Sequence, residues 1–189
     1  MDLLIREVRV DDAAAIVRIL NPIIEAGVYT VMDTPLTVEF ERQYIANFPP
    51  RGIFLVAELQ PEQRIVGFQS LEPLASYTRA FDHVGVMGTY VDLVERRRGI
   101  GTRLFTATVA AARRQGYEKI FTYVRADNLA SLAFHLKLGF RLVGTAQRQA
   151  RLHGQYVDEI FIEKFLTVAA LKNEFSSRRH RPASARQPV

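Results

Sequence analysis

The amino-acid sequence predicts a single α+β domain, in the three-layer α/β sense, whose central sheet is mixed and mostly antiparallel. The predicted elements follow the order β-α-α-β-β-β-α-β-α-β-β. Consecutive strands near both ends predict antiparallel hairpins, and one strand–helix–strand crossover in the middle requires a parallel pair. A parallel pair that separates at one end leaves backbone N–H and C=O groups free, and a ligand can take the place of the missing strand.

The first half of the chain is predicted from alternating hydrophobicity and from helix-cap signals. Asp11 is the expected N-cap of the first helix, and Pro22 is expected to kink or interrupt that helix. Thr37 is the expected cap of a short second helix. The predicted elements are a strand at 3–10, helices at 12–25 and 38–47, and hairpin strands at 53–59 and 65–74.

The second half contains the crossover. An apolar, β-branched run predicts a strand, and a short basic turn separates it from a helix-period segment. Gly116 and Gly139 are expected to end the two helices, because glycine readily adopts the left-handed conformation. Asn128 is expected to cap the second of them. The predicted elements are strands at 84–94 and 119–125, helices at 102–115 and 129–138, and hairpin strands at 140–151 and 155–165.

Composition limits the classes of protein to which this chain can belong. Its 189 residues are 48% hydrophobic, enough for one domain core, which we predict over residues 1–171. The absence of cysteine excludes disulfides, thiolate zinc sites and a cysteine nucleophile, and it fits a cytoplasmic location. The four histidines include no i,i+4 pair, so no metal site is expected.

Positive charge is concentrated near the C-terminus. The net charge is +5, and residues 178–189 contain four arginines and no acid. We predict that residues 172–189 form a basic, flexible tail, with an arm of a dimer as the alternative. A nucleic-acid partner is not expected, because little of the charge belongs to the folded domain. No apolar run approaches the roughly 20 residues of a membrane span, and the N-terminus lacks the form of a signal peptide, so no membrane partner is expected.

The turn at residues 96–101, Arg-Arg-Arg-Gly-Ile-Gly, predicts an anion site. The first N–H groups of the following helix have no internal partners, and they lie at the positive end of the helix dipole. Neither common phosphate motif fits. A Walker loop requires a lysine directly after Gly101, and a dinucleotide fingerprint requires a third glycine where Leu104 stands. The alternative is a solvated charge run at the start of a helix.

A second group of polar residues falls on one face of the helix predicted at 129–138. Asn128, Ser131 and His135 follow the i, i+3, i+7 spacing of a single helix face. The crossover topology brings this face beside the basic turn, and a solvated stripe capped by Asn128 is the alternative. The buried stripe of the helix is predicted to consist of Leu129, Leu132, Ala133 and Leu136.

Together, these segments resemble the GNAT superfamily of N-acetyltransferases. Arg96, Gly99 and Gly101 match its R/Q-x-x-G-x-G/A loop, and residues 128–140 are similar to its N-x-A-S-x-x-x-[YH]-E-K-L-G-F segment. The order of elements over residues 3–166 agrees as well. The resemblance implies the GNAT fold, with acetyl-CoA as cosubstrate in a cleft where the parallel strands separate, and no metal.

The resemblance also implies roles for individual residues. Backbone groups of Val91 and Leu93 would hydrogen-bond the pantetheine amides, and Asn128 would bond the pantetheine arm. His135 stands where many relatives carry a tyrosine that protonates the departing thiolate, and it is expected to protonate or hydrogen-bond that sulfur, with a purely packing role as the alternative. The residues expected to bind the cosubstrate are Val91, Leu93, Arg96, Arg97, Arg98, Gly99, Ile100, Gly101, Thr102, Asn128 and Ser131.

Some features resemble the phosphinothricin-acetyltransferase-like branch of the family. That branch also carries histidine at the position of His135, and residues 21–25 and 156–159 resemble its sequences. One departure concerns the glutamate that those relatives carry in the strand before the loop. Val86 occupies that position here, so their usual base for the amine is missing.

We expect direct attack of a primary amine of a small molecule on acetyl-CoA in a ternary complex, since no cysteine can carry the acetyl group. An amino acid or analogue is the favoured acceptor, in a pocket lined by residues 25–36, and a backbone N–H near Val91 would stabilise the oxyanion. The alternatives are a non-catalytic acyl-CoA sensor and an acetyltransferase of protein N-termini or lysines, and a homodimer is left open. The expected base is Asp92, and the other candidates are Asp82, His83 and Glu58.

Overall fold

The computed structural model describes residues 2–166 and shows one open, mixed sheet of seven strands. The strands lie in the order β1-β2-β3-β4-β5-β7-β6. The predicted tail at 172–189 lies outside the described residues. The strands are β1 (Leu3–Glu7), β2 (Ile53–Leu59), β3 (Arg64–Pro73), β4 (Val84–Val91), β5 (Lys119–Arg125), β6 (Arg141–Leu152) and β7 (Gln155–Phe165).

Every neighbouring pair in the sheet is antiparallel except β4 and β5, as the predicted crossover requires. The parallel ladder is short, and it joins Val84–Val86 to Lys119–Phe121. Just beyond it, the buried Thr122 hydroxyl donates to the Met87 carbonyl at 2.7 Å. Within residues 2–166, the rest of β4 is paired with β3 alone, so the sheet opens into a cleft at its centre.

Helices cover both faces of the sheet and produce two cores, as a three-layer arrangement predicts. Successive residues of a strand point to opposite faces. Leu55 and Ala57 of β2 therefore join the core under α3, whereas Phe54 and Val56 join the core under α1 and α2. The helices are α1 (Ala13–Glu25), α2 (Val38–Ala46), α3 (Ile100–Arg114) and α4 (Leu129–Lys137).

Most predicted helix ends are confirmed. The Thr37 side chain accepts a hydrogen bond from the Phe40 N–H at 3.1 Å and caps α2. Asn128 caps α4 in the same way, accepting from the Ser131 N–H at 3.1 Å. Gly116 and Gly139 adopt φ values of 82° and 85°, which are typical of a glycine that ends a helix.

Two expected features of the first helix, a cap at Asp11 and an interruption at Pro22, do not occur. Asp11 lies within a 3-10 turn before α1 and does not cap the helix. Asp12 follows it, but the Arg6 guanidinium and the Arg9 N–H bind its carboxylate, which holds this turn against β1. Pro22 lies inside α1 without interrupting it, because the helix is fixed to the sheet by its buried isoleucines on either side.

The elements around the basic turn also differ in extent from the prediction. Strand β4 ends at Val91 and not at residue 94, since the Asp92 carboxylate accepts from the Val94 N–H at 3.2 Å and starts a 3-10 turn. Helix α3 begins at Ile100, two residues earlier than expected. The basic turn is therefore the direct start of the helix.

Three of the four residues predicted as the buried stripe of α4 are exposed, and Leu132 alone is partly buried, packed against the core under α3. Leu129 is 70% exposed and Leu136 is also exposed, whereas His135 is only 5% exposed. The polar face of the helix points inward because α4 covers the cleft between β4 and β5.

Two findings concern whole classes of site. Among residues 2–166, no helix is both long and apolar enough to cross a membrane. The same residues contain no group of three or more His, Cys, Asp or Glu side chains that could hold a metal ion.

Candidate active site

The turn between β4 and α3 presents backbone donors to the cleft. Gly99 is the N-cap of α3 with a φ of 79°, a conformation that glycine adopts without strain. The first helical hydrogen bond runs from the Arg103 N–H to the Gly99 carbonyl at 3.1 Å. The N–H groups of Ile100, Gly101 and Thr102 therefore have no partner within the helix and can bind an anion.

The three arginines of this turn have different environments. Arg96 and Arg97 line the cleft, and the Arg96 guanidinium lies 4.0 Å from the centre of the Tyr29 ring. Arg98 instead forms an ion pair with the buried Glu95, which also accepts from Arg64. The hydrogen bonds from these two arginines, Arg64 first, lower the pKa of Glu95 and keep it ionised. Arg98 thus supports the turn from behind.

A cavity of about 420 Å³, which we call the turn cavity, extends from this turn along β4 to α4. Its floor is close-packed, since a Cβ atom on Gly101 would lie 3.0 Å from the Phe134 ring. Leu93 does not line it and packs instead into the core under α1. Nine residues predicted to bind the cosubstrate do line it: Val91, Arg96, Arg97, Gly99, Ile100, Gly101, Thr102, Asn128 and Ser131.

His135 of α4 faces the cleft as a neutral imidazole. Its Nδ1 lies 2.8 Å from the Ser131 carbonyl, which can only accept, so Nδ1 carries the proton. Burial lowers the pKa of the ring, and the hydrogen bond to Ser131 only partly opposes this effect. Among the described residues, none forms a hydrogen bond with Nε2, and this nitrogen keeps its lone pair.

A second cavity, of about 390 Å³, lies on the other side of His135. It contains three carboxylates, so we call it the acidic cavity. Tyr29, Thr30, Val31, Met32 and Leu36 belong to the loop that was predicted to line an acceptor pocket, and they form one wall. Five residues line both cavities, which therefore meet along a shared wall: Tyr29, Thr89, Tyr90, Ser131 and His135.

The three carboxylates come from separate elements: Glu41 from α2, Glu72 from β3 and Glu159 from β7. Glu41 is 3% exposed and Glu159 is 5% exposed. Neither side chain has a hydrogen bond or an ion pair with any residue in the range 2–166. Burial raises the pKa of both, that of Glu41 to about 7. Glu72 differs, because it accepts a hydrogen bond of 2.5 Å from the Tyr44 hydroxyl.

Glu72 lies beside the position where the expected glutamate is missing. In the β3–β4 ladder, Glu72 is directly opposite Val86, and both residues line the acidic cavity. Directly opposite residues on neighbouring strands place their Cβ atoms about 5 Å apart on the same face. A carboxylate is therefore supplied by the adjacent strand.

The base candidates chosen from sequence lie elsewhere and line neither cavity. Asp92 caps the 3-10 turn after β4 and pairs with Arg18 at 3.1 Å. Asp82 pairs with Arg51 and Arg79, and Glu58 accepts from Arg6. The side chain of His83 is exposed.

Sequence reasoning missed Glu41, Tyr44 and Glu72 because each belongs to an element predicted for its structure alone. Two signals could have found them. Glu41 and Tyr44 are three residues apart and share one face of α2. Glu72 alternates with Ser70 and Phe68 along β3, and all three line the acidic cavity.

Comparison with known proteins gives a consistent result. A sequence profile described as the acetyltransferase (GNAT) family matches residues 18–140. The chain is 26% identical to a phosphinothricin N-acetyltransferase of Streptomyces coelicolor over 154 residues, 77% of this chain and 90% of that one. It is 22% identical to an L-methionine sulfoximine/L-methionine sulfone acetyltransferase of Pseudomonas aeruginosa over 162 residues, 84% of this chain and 92% of the relative.

Among solved structures, the Salmonella typhimurium protein yncA with its cofactor acetyl-CoA superposes with a TM-score of 0.81. That match covers 92% of this chain and 99% of the other at 21% identity. At this identity the likeness concerns the fold, and it agrees with the mixed seven-stranded sheet and its separated parallel pair.

Proposed function

This chain belongs to the acetyltransferase (GNAT) family, and from that premise we propose that it transfers an acetyl group from acetyl-CoA to a primary amine of a small molecule. The observation that carries the proposal is the meeting of the two cavities at His135. One cavity has the backbone donors and positive charge that suit a pyrophosphate, and the other has room for an amine. Reaction needs both substrates side by side, and a shared wall provides that arrangement.

The turn cavity fits acetyl-CoA. Three free N–H groups at the start of α3, together with Arg96 and Arg97, would hold the pyrophosphate. Gly99 would let the phosphate approach the backbone without obstruction by a Cβ atom. Val91 lies on the edge of β4 that β5 leaves free, where its backbone would bond the pantetheine arm.

Asn128 would have a smaller share in cosubstrate binding than the resemblance implies. Its Oδ1 caps α4, and its Nδ2 donates to the Tyr29 carbonyl at 3.2 Å. One N–H of the amide remains for the pantetheine arm. We propose that Leu93 and Arg98 support the turn without touching the cosubstrate.

We propose that His135 carries a proton from the amine to the sulfur. With Nδ1–H donated to Ser131, the free Nε2 would accept the proton that the amine nitrogen loses as its bond to the acetyl carbon forms. The imidazolium then returns that proton to the thiolate as the C–S bond breaks. The products are the acetamide and the free thiol of CoA. The histidine thus begins as an acceptor, whereas the sequence resemblance implied only a donor.

Most acceptor amines are protonated at neutral pH, so a further proton must leave before attack. Glu72 is suited to accept it because it occupies the cavity opposite Val86. This assignment replaces Asp92, whose carboxylate is committed to Arg18 and to the Val94 N–H.

The test is release of free CoA from acetyl-CoA by the purified protein with a panel of amines. We expect His135→Ala to bind acetyl-CoA normally and to lose roughly 100-fold or more in kcat. His83→Ala is the matched control, since that histidine is exposed and lies outside both cavities. Tight acetyl-CoA binding without turnover of any amine would overturn the proposal and favour a sensor.

A further inference from the structure

The acidic cavity has a charge pattern that identifies the class of acceptor, given the proposed acetyl transfer. Its lining includes three carboxylates and one guanidinium, that of Arg125. An amino acid brings a carboxylate of its own, which needs a free cation in the site. An alkyl diamine brings a second ammonium group, which needs a free anion.

Arg125 cannot readily serve as the free cation. It is 6% exposed, and its Nε and Nη2 donate to the two carboxylate oxygens of Asp127 at 2.9 and 2.6 Å. Its Nη1 donates to the carbonyls of Gly27 and Thr30 at 2.6 and 3.2 Å. Four of the five donors of the guanidinium are therefore occupied: two by the Asp127 carboxylate and two by carbonyls of the loop that forms the cavity wall.

The anions, in contrast, are free. Glu41 and Glu159 are buried, line the cavity and have no partner in the part of the chain that the structure describes. An unpaired, ionised carboxylate is costly to bury unless a cation compensates it. A bound ammonium group would provide that compensation.

The walls between the carboxylates suit a hydrocarbon chain with a charged end. Tyr44, Phe54, Phe68, Tyr90 and Tyr123 contribute aromatic faces to the cavity. Such faces pack against methylene groups and attract cations. The Tyr44 hydroxyl donates to Glu72, and Tyr44 lies one helical turn from Glu41 on α2, so this side chain lies between two of the carboxylates.

We propose that the acceptor is an alkyl diamine or polyamine, whose reacting amino group faces His135 while a second ammonium group is bound by Glu41 and Glu159. This inference rests on the proposed acetyl transfer and narrows its acceptor. It replaces the amino acid favoured from sequence, because the cavity offers unpaired anions where an amino acid would require a cation.

The experiment compares putrescine, n-butylamine and L-methionine sulfoximine as acceptors for CoA release. Putrescine and n-butylamine have the same chain length and differ in the second amino group. We expect kcat/KM for putrescine to exceed that for n-butylamine by about tenfold or more, the usual effect of one charge-assisted hydrogen bond. L-Methionine sulfoximine should be the poorest acceptor of the three.

Glu41→Gln and Glu159→Gln then test the carboxylates. Each should reduce the ratio of the two kcat/KM values about tenfold towards one. Glu39→Gln, on the exposed face of the same helix as Glu41, should leave the ratio unchanged. Thermal melting confirms that each variant is folded. Equal kcat/KM values for putrescine and n-butylamine, or preference for the amino acid, would overturn the inference.

Failure of the proposed acetyl transfer can be distinguished from failure of the diamine inference. In that case no amine would release CoA, and titration calorimetry of putrescine into the CoA-bound protein would decide the inference. Binding that Glu41→Gln weakens about tenfold would still support a diamine site. The absence of binding to the unmodified protein would overturn it.

Discussion

The two cavities that meet at His135 have opposite charge and opposite construction. The turn cavity combines Arg96, Arg97 and a helix N-terminus, and it draws most of its lining from two continuous segments around α3 and α4. The acidic cavity combines three carboxylates from α2, β3 and β7, which only the folded sheet brings together. A site built from continuous segments leaves a motif in the sequence, whereas a site assembled across elements leaves none.

The largest effect is expected from a substitution that changes the turn cavity alone. In Gly99→Val, a β-branched side chain must adopt a positive φ at a cost of about 1–3 kcal/mol, and it occupies the path of the phosphate. We expect the Kd for acetyl-CoA to rise about 100-fold in calorimetric titrations.

Gly116→Val is the matched control for Gly99→Val. Gly99 and Gly116 both have a positive φ, and a Cβ atom added at either residue would have no other atom within 4 Å. Gly116, however, lies at the other end of α3, far from the basic turn. It should lose similar stability and keep its affinity for acetyl-CoA. A comparable loss of affinity in both variants would show that strain, and not the phosphate path, explains the effect.

The next largest effect concerns the acidic cavity, and it is a change in the free energy of unfolding with pH. Glu41 has a folded pKa of about 7 against an ordinary value of 4.5, so the folded state holds a proton that the unfolded state releases between these pH values. Stability should therefore fall as pH rises from 4.5 to 7. Glu41→Gln removes this loss and should be more stable than the unmodified protein by on the order of 2 kcal/mol at pH 8.

Urea unfolding without ligand at pH 4.5 and pH 8 measures the difference in the free energy of unfolding between Glu41→Gln and the unmodified protein. At pH 4.5, Glu41 is largely protonated in the folded state, and the advantage of Glu41→Gln should nearly vanish. Glu39→Gln should show no advantage at either pH. An advantage of equal size at both pH values would show that packing, not charge, is responsible.

The smallest effect separates two neighbouring arginines. Arg97 lines the turn cavity, whereas Arg98 pairs with Glu95 behind the turn. We expect Arg97→Ala to weaken acetyl-CoA binding about tenfold, as loss of a charge-assisted contact should. Arg98→Ala should change it less than about twofold, because Glu95 keeps Arg64 as a partner. The reverse order would mean that the turn is oriented differently when the cosubstrate binds.

The fold could be predicted from the sequence, because hydrophobic periodicity and glycine caps are local signals and the single crossover determines which strands are parallel. The helix caps Thr37 and Asn128 were confirmed, and so was the parallel pairing of β4 with β5. The prediction of which face of α4 is buried was wrong for a physical reason. A short helix that covers a cleft can bury polar groups towards a ligand and expose leucines such as Leu129.

The site was predictable only in part. The residues at 99–102 follow from a motif, since backbone N–H groups at a helix start act regardless of distant contacts. The proposed base, Glu72, was not predictable, because Val86 occupies the expected position and only the β3–β4 register places Glu72 beside it. No pattern along the chain encodes which residues face each other across two strands. The possible homodimer and the flexible tail at residues 172–189 stay predictions.

The loop at residues 27–32 is held from both cavities: Arg96 and Asn128 line the turn cavity, and Arg125 lines the acidic cavity. Asn128 holds the Tyr29 carbonyl, Arg125 holds the carbonyls of Gly27 and Thr30, and the Arg96 guanidinium stacks on the Tyr29 ring. In the proposed reaction, a thioester donor bound by Arg96 and Asn128 would order this loop, which forms one wall of the acidic cavity. Thermodynamic linkage makes this effect mutual, so binding of either substrate would raise the affinity of the protein for the other. Binding measurements should accordingly show an affinity for the amine that rises when the donor is bound, and an affinity for the donor that rises by the same factor when the amine is bound.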